Sequence, residues 1–597
     1  MQTFKKLLFL LSPSEQKHAG LLLLMIIIMA LLDTIGVASI YPFMAVLTNP
    51  GLIETNLILN TMFQASSIFG VDNNEQFLFA LGTLMFVILV TSITFKALTS
   101  YAQVRFVLMR EYSISRRLVE GYLNQPYSWF LSRHSADLGK AILSEVATII
   151  GVGITPMMTL ISTSMITITI ITLLIIVDPK LAIIVGLSFT GAYGIAFFFT
   201  RKILNQAGKR RFKSNQLRFT TVIEAFGASK EVKVGGLEQT YVNRFSNIAK
   251  TFARSQASEA VISLLPRFIL EIIAFGGILL IILSTMSQLG DFNSILPILS
   301  LYVFAGYRLM PALQQIYGAL TQLTFVGPSL DKLYDDIKSL KSFDRNQDQG
   351  VLPLNKSITL NNIHYNYPDA SRTALKNINL SIPAKSTVGI VGATGSGKTT
   401  TVDIILGLLE VKNGTLEVDG KIITKQNSRS WQKSIGYVPQ NIFLSDDTVS
   451  ANIAFGVEPE NINQEAVEKA SKIANLHEFV TDELPNKYQT TVGERGVRLS
   501  GGQRQRIGVA RALYHNPQVL ILDEATSALD NQTEQAVMDA INNLGKKITI
   551  ILIAHRLSTV KNCDNIFFLS KGELKGQGKF EELKKNNISF SEMQQNH

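Results

Sequence analysis

The sequence predicts two domains of different class: an α-helical bundle that spans a membrane, followed by an α/β domain. The chain has 597 residues, which is too long for a single core. It is 47% hydrophobic and 17% charged, with a mean hydropathy of +0.22, so that much of it should dissolve in lipid. Short apolar runs alternate with helical patterns only in the last part of the chain. We therefore predict a membrane domain over 1–336, a linker over 337–357 and an α/β domain over 358–597.

The membrane domain is predicted from the lengths of its apolar segments. About 20 apolar residues are needed to cross the hydrocarbon core of a bilayer, and six segments reach that length. The predicted spans are 19–46, 77–101, 150–177, 179–200, 261–285 and 293–316. The N-terminal run MQTFKKLLFLLSPSE is too short for a span and lacks a cleavage site, so we predict an amphipathic helix on the inner surface of the membrane.

The distribution of basic residues predicts the orientation. The connections at 102–149 and 201–260 are rich in lysine and arginine, whereas those at 47–76 and 286–292 contain none. Both termini and the α/β domain should therefore be cytoplasmic, in a multi-pass protein of the inner (plasma) membrane. The basic connections also account for the net charge of +10 without a nucleic-acid partner. The single cysteine, Cys563, excludes an internal disulfide framework.

The first candidate binding site along the α/β domain is a glycine-rich loop. An apolar strand ends at Val391 and a helix begins near Lys398. Between them, backbone N–H groups can curl around a triphosphate, while Lys398 reaches its β- and γ-phosphates and the Thr399 hydroxyl binds Mg²⁺. The residues of this predicted ATP-binding loop are Gly392, Ala393, Thr394, Gly395, Ser396, Gly397, Lys398 and Thr399.

Two later strands supply acidic and basic groups. The run VLILDEATSALD delivers Asp523, a predicted Mg²⁺ ligand, and Glu524, a predicted general base that polarises the attacking water. A pair of carboxylates capping the next helix is the structural alternative. The run TIILIAH ends at His555, which is placed to hydrogen-bond a γ-phosphate.

A second motif, LSGGQRQRIGVARAL, points beyond a single subunit. It opens a helix with residues that can form another phosphate-facing nest, although one active site does not need two such nests. Its position shortly before the aspartate–glutamate strand resembles the ATP-binding cassette (ABC) family, in which this motif completes the ATP site of the opposing subunit. The motif residues are Leu499, Ser500, Gly501, Gly502 and Gln503.

The resemblance covers 358–575 and implies further roles. Tyr367 resembles the aromatic residue that stacks on adenine, Thr400 belongs to the ATP-binding loop region, and Gln440 resembles the glutamine that senses Mg²⁺ and the membrane domain. Glu494 resembles a contact to the coupling helices, and 527–530 resembles the D-loop. Because the chain has one intact cassette, the resemblance implies a homodimer that hydrolyses ATP at both of its sites.

Six spans followed by one cassette resemble an ABC exporter half-transporter. That resemblance implies alternating access, in which closure of the cassettes turns a central chamber from the inner to the outer side of the membrane. Coupling segments are expected near 131–142 and 222–234.

Charged residues inside the predicted spans indicate a cargo site. Arg267 and Glu271 lie one helical turn apart in the fifth span, and Arg308 lies in the sixth. An i,i+4 salt bridge would explain the first two but would leave Arg308 without a partner. Alternatively, Arg308, assisted by Arg267, receives an anionic head group from the inner leaflet. Lys96 is expected to extend toward the membrane surface, and Asp33 has no predicted role.

The runs LPRFILE and GYRLMPALQQIYGAL are similar to the bacterial lipid-linked oligosaccharide flippase of protein N-glycosylation. In that family an external helix between the first two spans engages the lipid tail. Ile53, Leu57, Met62 and Phe63 could form such a face here, or could belong to an ordinary surface-packed helix.

The predicted function is therefore ATP-driven export of an amphipathic, anionic lipid-linked saccharide. Export of another lipid, a peptide or a drug is predicted equally by the cassette, and an ATP-gated channel is the alternative of a different class. Apart from the second copy, the predicted partners are membrane lipid or a lipid-linked glycan as cargo.

Overall fold

The computed structural model divides into two compact units, which we describe one at a time. The first comprises 1–125 and 133–342, and the second comprises 126–132 and 343–597. The structure describes residues 2–68, 70–177, 179–288, 296–340, 350–367, 372–493, 496–524, 535, 537–540, 547–554 and 556–595.

The first unit is helical throughout its described residues. Its short helices are α1 (Gln2–Leu10), α3 (Ile40–Thr48), α4 (Leu52–Thr55), α5 (Leu57–Ser67), α8 (Ser135–Lys140), α9 (Val146–Ile149) and α12 (Ser229–Val234). Its long helices are α2 (Pro13–Ala38), α6 (Asn74–Leu123), α10 (Thr155–Val177), α11 (Pro179–Gly227), α13 (Glu238–Gln288) and α14 (Leu296–Ser339), and π-helical turns at Ala141–Glu145 and Ile150–Ile154 flank α9.

The predicted spans fall within these helices, with two differences, except that 293–295 of the sixth span lie outside the described residues. The first predicted span is two helices, because the chain turns at Ser39 between α2 and α3. The third begins with a π-helical turn rather than a regular helix. Within the described part of the chain, three stretches are long and apolar enough to cross a membrane: Pro13–Thr48, Asn74–Leu123 and Ser135–Val177.

The N-terminal helix α1 packs against the bundle, as expected for an amphipathic helix. Leu7 and Leu10 are fully buried, while Leu8 and Phe9 on the other face are exposed. The Ser-Pro-Ser-Glu sequence that follows is the start of α2: Ser12 and Glu15 form a reciprocal capping box and Pro13 takes the first helical position.

The connection between the first two predicted spans forms the short helices α4 and α5, and most of its predicted lipid-facing residues pack inward. Ile53 is buried, and Met62 and Phe63 are half-buried in a cluster around Phe77. Only Leu57 of the four predicted residues stays exposed, at 83%. The surface-packed alternative therefore describes this segment better than a continuous apolar face.

A buried polar network ties three helical segments of the first unit together. Arg211 of α11 donates to Glu145 at 2.7 Å, and both side chains are at most 4% exposed. Arg211 also donates to Ser329 at 3.0 Å, while Asn215 donates to the other Glu145 oxygen at 2.8 Å. Because the charges are paired and hydrogen-bonded, they are tolerated away from water.

The second unit contains the predicted α/β domain. Its strands are β1 (Ser357–Tyr365), β2 (Leu375–Pro383), β3 (Thr387–Val391), β4 (Asn413–Val418), β5 (Lys421–Ile422), β6 (Ile435–Val438), β7 (Val519–Asp523), β8 (Thr549–Ala554), β9 (Asn565–Ser570) and β10 (Glu573–Gly578). Its α-helices are α7 (Tyr127–Leu131), α15 (Lys398–Ile405), α16 (Ser428–Gln432), α17 (Val449–Ile453), α18 (Gln464–Ile473), α19 (Gly501–Leu513), α20 (Phe580–Asn586) and α21 (Ile588–Gln595).

Only one of the two predicted coupling segments overlaps the second unit. The segment grouped with it is 126–132, which includes α7, and it overlaps the predicted segment 131–142 by only two residues. The other predicted segment, 222–234, belongs wholly to the first unit.

Two sheets form the second unit. A six-stranded sheet has the order β10-β9-β3-β8-β7-β6, in which β9, β3, β8, β7 and β6 are parallel, and an antiparallel sheet has the order β2-β1-β4-β5. Alternate residues of β7 enter different apolar clusters: Leu520 and Leu522 join one, Val519 and Ile521 the other. The parallel strands are therefore covered on both faces, and functional groups collect where the strands end.

Candidate functional site

The phosphate loop leads from β3 directly into α15. Gly395 and Gly397 adopt positive φ angles of 76° and 103°, which glycine accommodates without a Cβ penalty. A Cβ on Gly392 would lie 2.2 Å from the carbonyl oxygen of Leu569, so that position also requires glycine. The loop thus has the curled backbone and the helix N-terminus expected of a phosphate cradle.

Lys398 is held inside this loop. Its Nζ donates to the carbonyl oxygens of Gly392 at 2.7 Å and Ala393 at 3.2 Å, and the side chain is buried. Burial lowers the pKa of Lys398, while the carboxylates of Glu524 and Asp523 oppose that shift. Two of the three N–H donors of the ammonium group therefore have carbonyl partners.

The other residues of the loop divide into an open and a buried set. The side of the loop that a nucleotide would approach is exposed, while Ser396 and Thr400 are buried. The exposed residues are Ala393, Thr394, Gly395 and Thr399.

Tyr367 lies beside the loop. Its hydroxyl is 3.0 Å from the Thr400 hydroxyl, and its ring meets that of Tyr365 edge-on at 5.2 Å. Tyr367, the aromatic residue predicted to stack on adenine, is thus hydrogen-bonded to Thr400, which follows the phosphate loop.

The predicted carboxylates lie at the end of β7. Asp523 is buried, and the Tyr437 hydroxyl donates to its Oδ2 at 3.4 Å. Burial raises the pKa of Tyr437, and Asp523 raises it further, so the phenol keeps the proton that it donates. This tyrosine was not predicted, although it stands three residues before Gln440.

Glu524 has an unusual backbone and a specific partner. Its φ is +50°, in the left-handed region that non-glycine residues rarely adopt. The side-chain amide of Gln440 donates to Glu524 Oε2 at 2.7 Å. The structure therefore brings together two predicted catalytic residues that are far apart in sequence.

The predicted Mg²⁺ ligands form a chemically suitable set. Asp523 offers a carboxylate, Thr399 an exposed hydroxyl and Gln440 an exposed amide oxygen. Mg²⁺ prefers such oxygen ligands and usually keeps several waters and substrate phosphates in its coordination sphere.

Asp403 is a buried acid near this site that was not predicted. It lies one helical turn after Thr399 on α15 and is 8% exposed. Burial raises its pKa to about 6, with a further contribution from Asp523. The only signal in the sequence is an acidic residue within the apolar pattern TTTVDIILGLL.

The second motif, Leu499–Gln503, which we call the signature motif, lies at the start of α19. Ser500 is the N-cap residue, its hydroxyl accepts from the Gln503 N–H at 3.2 Å, and the Gln503 side chain accepts from the Ser500 N–H at 2.8 Å. Gly501 and Gly502 form the first turn without side chains, so the helix N-terminus is open to an anion.

Arg511 connects α19 to the segment that follows Gln440. Its guanidinium donates to the carbonyl oxygens of Phe443 and Asn452, each at 2.8 Å. Burial lowers the pKa of Arg511 to about 10. Arg511 was not predicted, because its partners lie about 60 residues or more away along the chain.

Some predicted residues lie outside the described part of the chain. They are His555, Glu494 and 527–530.

The membrane unit has a cavity of about 460 Å³ between α2, α6, α10 and α14. Arg308 of α14 lines it and pairs with Asp33 of α2, with 3.0 Å between Nη1 and Oδ1. The expectation that Arg308 has no partner is therefore wrong, since Asp33 supplies one from a distant helix. Lys96 also lines the cavity.

Arg267 and Glu271 form the local pair that the sequence offered as one alternative. Arg267 Nε lies 2.8 Å from Glu271 Oε1, and the side chains are 52% and 34% exposed. Neither residue lines the cavity that contains Arg308. The structure thus separates this pair from Arg308, although all three were predicted to share one site.

Comparison with known proteins agrees with this architecture. The protein-family model described as the ABC transporter transmembrane region matches residues 18–311. The family model described as ABC transporter matches residues 375–527. The chain is 30% identical over 482 residues to an ATP-dependent lipid A-core flippase of Cupriavidus metallidurans, covering 78% of each chain. It is 32% identical over 462 residues to the protein of that name from Albidiferax ferrireducens, covering 75% of this chain and 77% of the relative.

A solved structure has the same fold. A bacterial Atm1-family ABC exporter with ATP bound matches with a TM-score of 0.76 at 21% identity, covering 97% of this chain and 98% of the other. The fold and the nucleotide loop thus define an ATP-driven membrane transporter. The chain belongs to the ABC transporter family, as an exporter-type half-transporter whose ATP hydrolysis is coupled to transport.

Proposed function

We propose that two copies of this chain form a homodimer in the inner membrane, with both termini and the ATP-binding domains in the cytoplasm. Each chain carries one phosphate loop and one signature motif, so a second copy supplies the second nest for each ATP. The open N-terminus of α19 at Ser500 is the feature that supports this arrangement.

The ATP-binding residues act by exchanging partners. Lys398 leaves the carbonyl oxygens of Gly392 and Ala393 for the β- and γ-phosphates, which give the ammonium group anionic partners. Glu524 leaves Gln440 and accepts a proton from the attacking water. Thr399, Gln440 and Asp523 would hold a Mg²⁺ ion, which would neutralise negative charge on the phosphates. Tyr367 stacks on the adenine, and His555 donates to the γ-phosphate.

The proposed cargo is an amphipathic, anionic lipid-linked saccharide carried from the inner to the outer leaflet. The observation that supports it is the cavity with Arg308 and Lys96 inside a membrane-spanning bundle. Lys96 has no ion-pair partner among the described residues, and an unpaired charge inside a membrane bundle is costly unless it is wetted, which favours a functional site. The guanidinium fork of Arg308 suits the oxygens of a phosphate or pyrophosphate.

A phosphorylated lipid A is the second candidate cargo. The relatives described above are named ATP-dependent lipid A-core flippases. Another lipid, a peptide or a drug is the broader alternative.

Reconstitution tests the cargo. The full-length protein in proteoliposomes should move a labelled polyprenyl-pyrophosphate oligosaccharide to the opposite leaflet when ATP is added, and this lipid should stimulate ATP hydrolysis. If lipid A, a peptide or a drug stimulates hydrolysis and the pyrophosphate-linked lipid does not, the saccharide assignment is wrong. Single-channel currents gated by ATP would instead identify a channel.

Replacing Arg308 separates transport from hydrolysis. Arg308→Ala should lower the transport rate about tenfold, the equivalent of one charge-assisted contact, and lower basal hydrolysis much less. Equal losses in both rates would mean that Arg308 has only a structural role.

A further inference from the structure

The acid in the cargo cavity has an unusual environment. Asp33 is 2% exposed, and its Oδ1 accepts from Arg308 at 3.0 Å and from the Ser92 hydroxyl at 3.5 Å. Its Oδ2 is also buried and has no hydrogen-bond partner among the described residues. A buried carboxylate oxygen without a donor is costly, so this arrangement is poorly explained by stability alone.

The two cations of the cavity are more accessible than the acid. The Arg308 side chain is 22% exposed, and Lys96 is half-buried without an ion-pair partner among the described residues. The three groups sum to one positive charge within a single cavity. Thr159, Ser162 and Thr163 of α10 also line it, and the hydroxyls of Ser162 and Thr163 donate to the Thr159 carbonyl oxygen at 3.1 and 2.7 Å.

We propose that Asp33 is an internal counter-ion of the cargo site, which neutralises Arg308 until an anionic head group takes the arginine from it. This inference rests on the proposed function, because it takes the cavity as the place where the head group binds. The guanidinium has five N–H donors, so it can begin to bind phosphate oxygens before it releases Asp33. Competition from Asp33 weakens anion binding, which favours release of the head group after translocation.

Direct binding to the nucleotide-free, full-length protein in lipid nanodiscs tests the counter-ion. The probes are farnesyl pyrophosphate, lipid A and the uncharged farnesol. Asp33→Asn should tighten binding of an anionic probe by about fivefold or more, the lower end of typical coupling between linked sites. Affinity for farnesol should not change. The matched control is Asp72→Asn, which removes an exposed acid outside the cavity and should leave all three affinities unchanged.

A double-mutant cycle tests whether Asp33 acts through Arg308. In an Arg308→Gln background, the further change Asp33→Asn should no longer tighten binding of an anionic probe. An equal gain in both backgrounds would overturn the pairing mechanism. Asp33→Asn/Arg308→Gln leaves no unpaired charge at the pair; if Arg308→Gln alone proves unstable, this double variant is compared with the wild type and should bind an anionic probe no more tightly.

The outcomes separate this inference from the proposed function. If the anionic probes bind better than farnesol but Asp33→Asn leaves their affinity unchanged or weaker, Asp33 is not a counter-ion and the proposed cargo stands. If Asp33→Asn tightens lipid A alone, the counter-ion stands and the pyrophosphate-linked saccharide is the wrong cargo. If neither anionic probe binds better than farnesol, both are wrong.

Discussion

The ATP-binding unit and the membrane unit differ in how far along the chain their polar and charged residues lie from their partners. In the ATP-binding unit, Lys398 and Ser500 have partners within six residues along the chain. In the membrane unit, Arg308 pairs with Asp33 and Arg211 with Glu145, on separate helical segments. Local partners make a motif recognisable from sequence, whereas distant partners become visible only in the fold.

The difference explains which predictions succeeded. The fold class and the ABC exporter family are confirmed, and the structure forms the phosphate loop and the signature helix where the motifs predicted them. The partner of Arg308 and the burial of Asp403 were missed, because both depend on elements that meet only after folding. The roles of individual site residues stay predictions.

The largest expected effect is on catalysis in the ATP-binding unit. Glu524→Gln should lower the rate of ATP hydrolysis by about 10²–10⁴-fold, the usual contribution of a general base, and should trap an ATP-bound dimer. The unfolding temperature should change little, because glutamine can still accept from Gln440. Hydrolysis at a near-normal rate would exclude Glu524 as the base.

A buried pair in the membrane unit should instead control stability. Arg211→Met leaves Glu145 buried and unpaired, which costs about 3–5 kcal/mol. Thermal unfolding of the full-length protein in detergent should show this loss. Adding Glu145→Gln should recover much of it, since the amide can still bond Asn215. If Arg211→Met unfolds like the wild type, the buried pair does not hold the bundle.

Asp403 is the exception in the ATP-binding unit, since its charge is buried through tertiary packing. Its pKa in the folded protein is about 6, above the ordinary value of 3.8, so folding favours the protonated acid. The stabilising contribution of protonated Asp403 to the free energy of unfolding is complete below pH 4 and is lost as the pH rises through 6.

Asp403→Asn, which mimics the protonated acid, should therefore stabilise the nucleotide-free protein by roughly 2–3 kcal/mol at pH 7.5. The gain should vanish near pH 4. Thermal unfolding of both proteins across this range checks the prediction, and a gain independent of pH would show that the Asp403 charge is not responsible.

Arg267 is the corresponding exception in the membrane unit, because its partner is local and both side chains are accessible. Breaking the pair with Arg267→Gln should cost about 0.5 kcal/mol or less. Transport should fall far less than in Arg308→Ala, which serves as the comparison in the same flipping assay. A loss as large as that of Arg308→Ala would place Arg267 in the cargo site after all.

The central claim is that each ATP site is built from two copies of the chain, and mixed dimers test it most directly. Lys398→Ala removes the phosphate-binding lysine, and Gly501→Asp puts a carboxylate at the signature nest, so each variant alone should be inactive. When equal amounts are co-assembled, half of the dimers are mixed and each has one intact site, which should restore about one quarter of wild-type hydrolysis. A mixture as inactive as its parents, or a monomer with full activity, would contradict the claim.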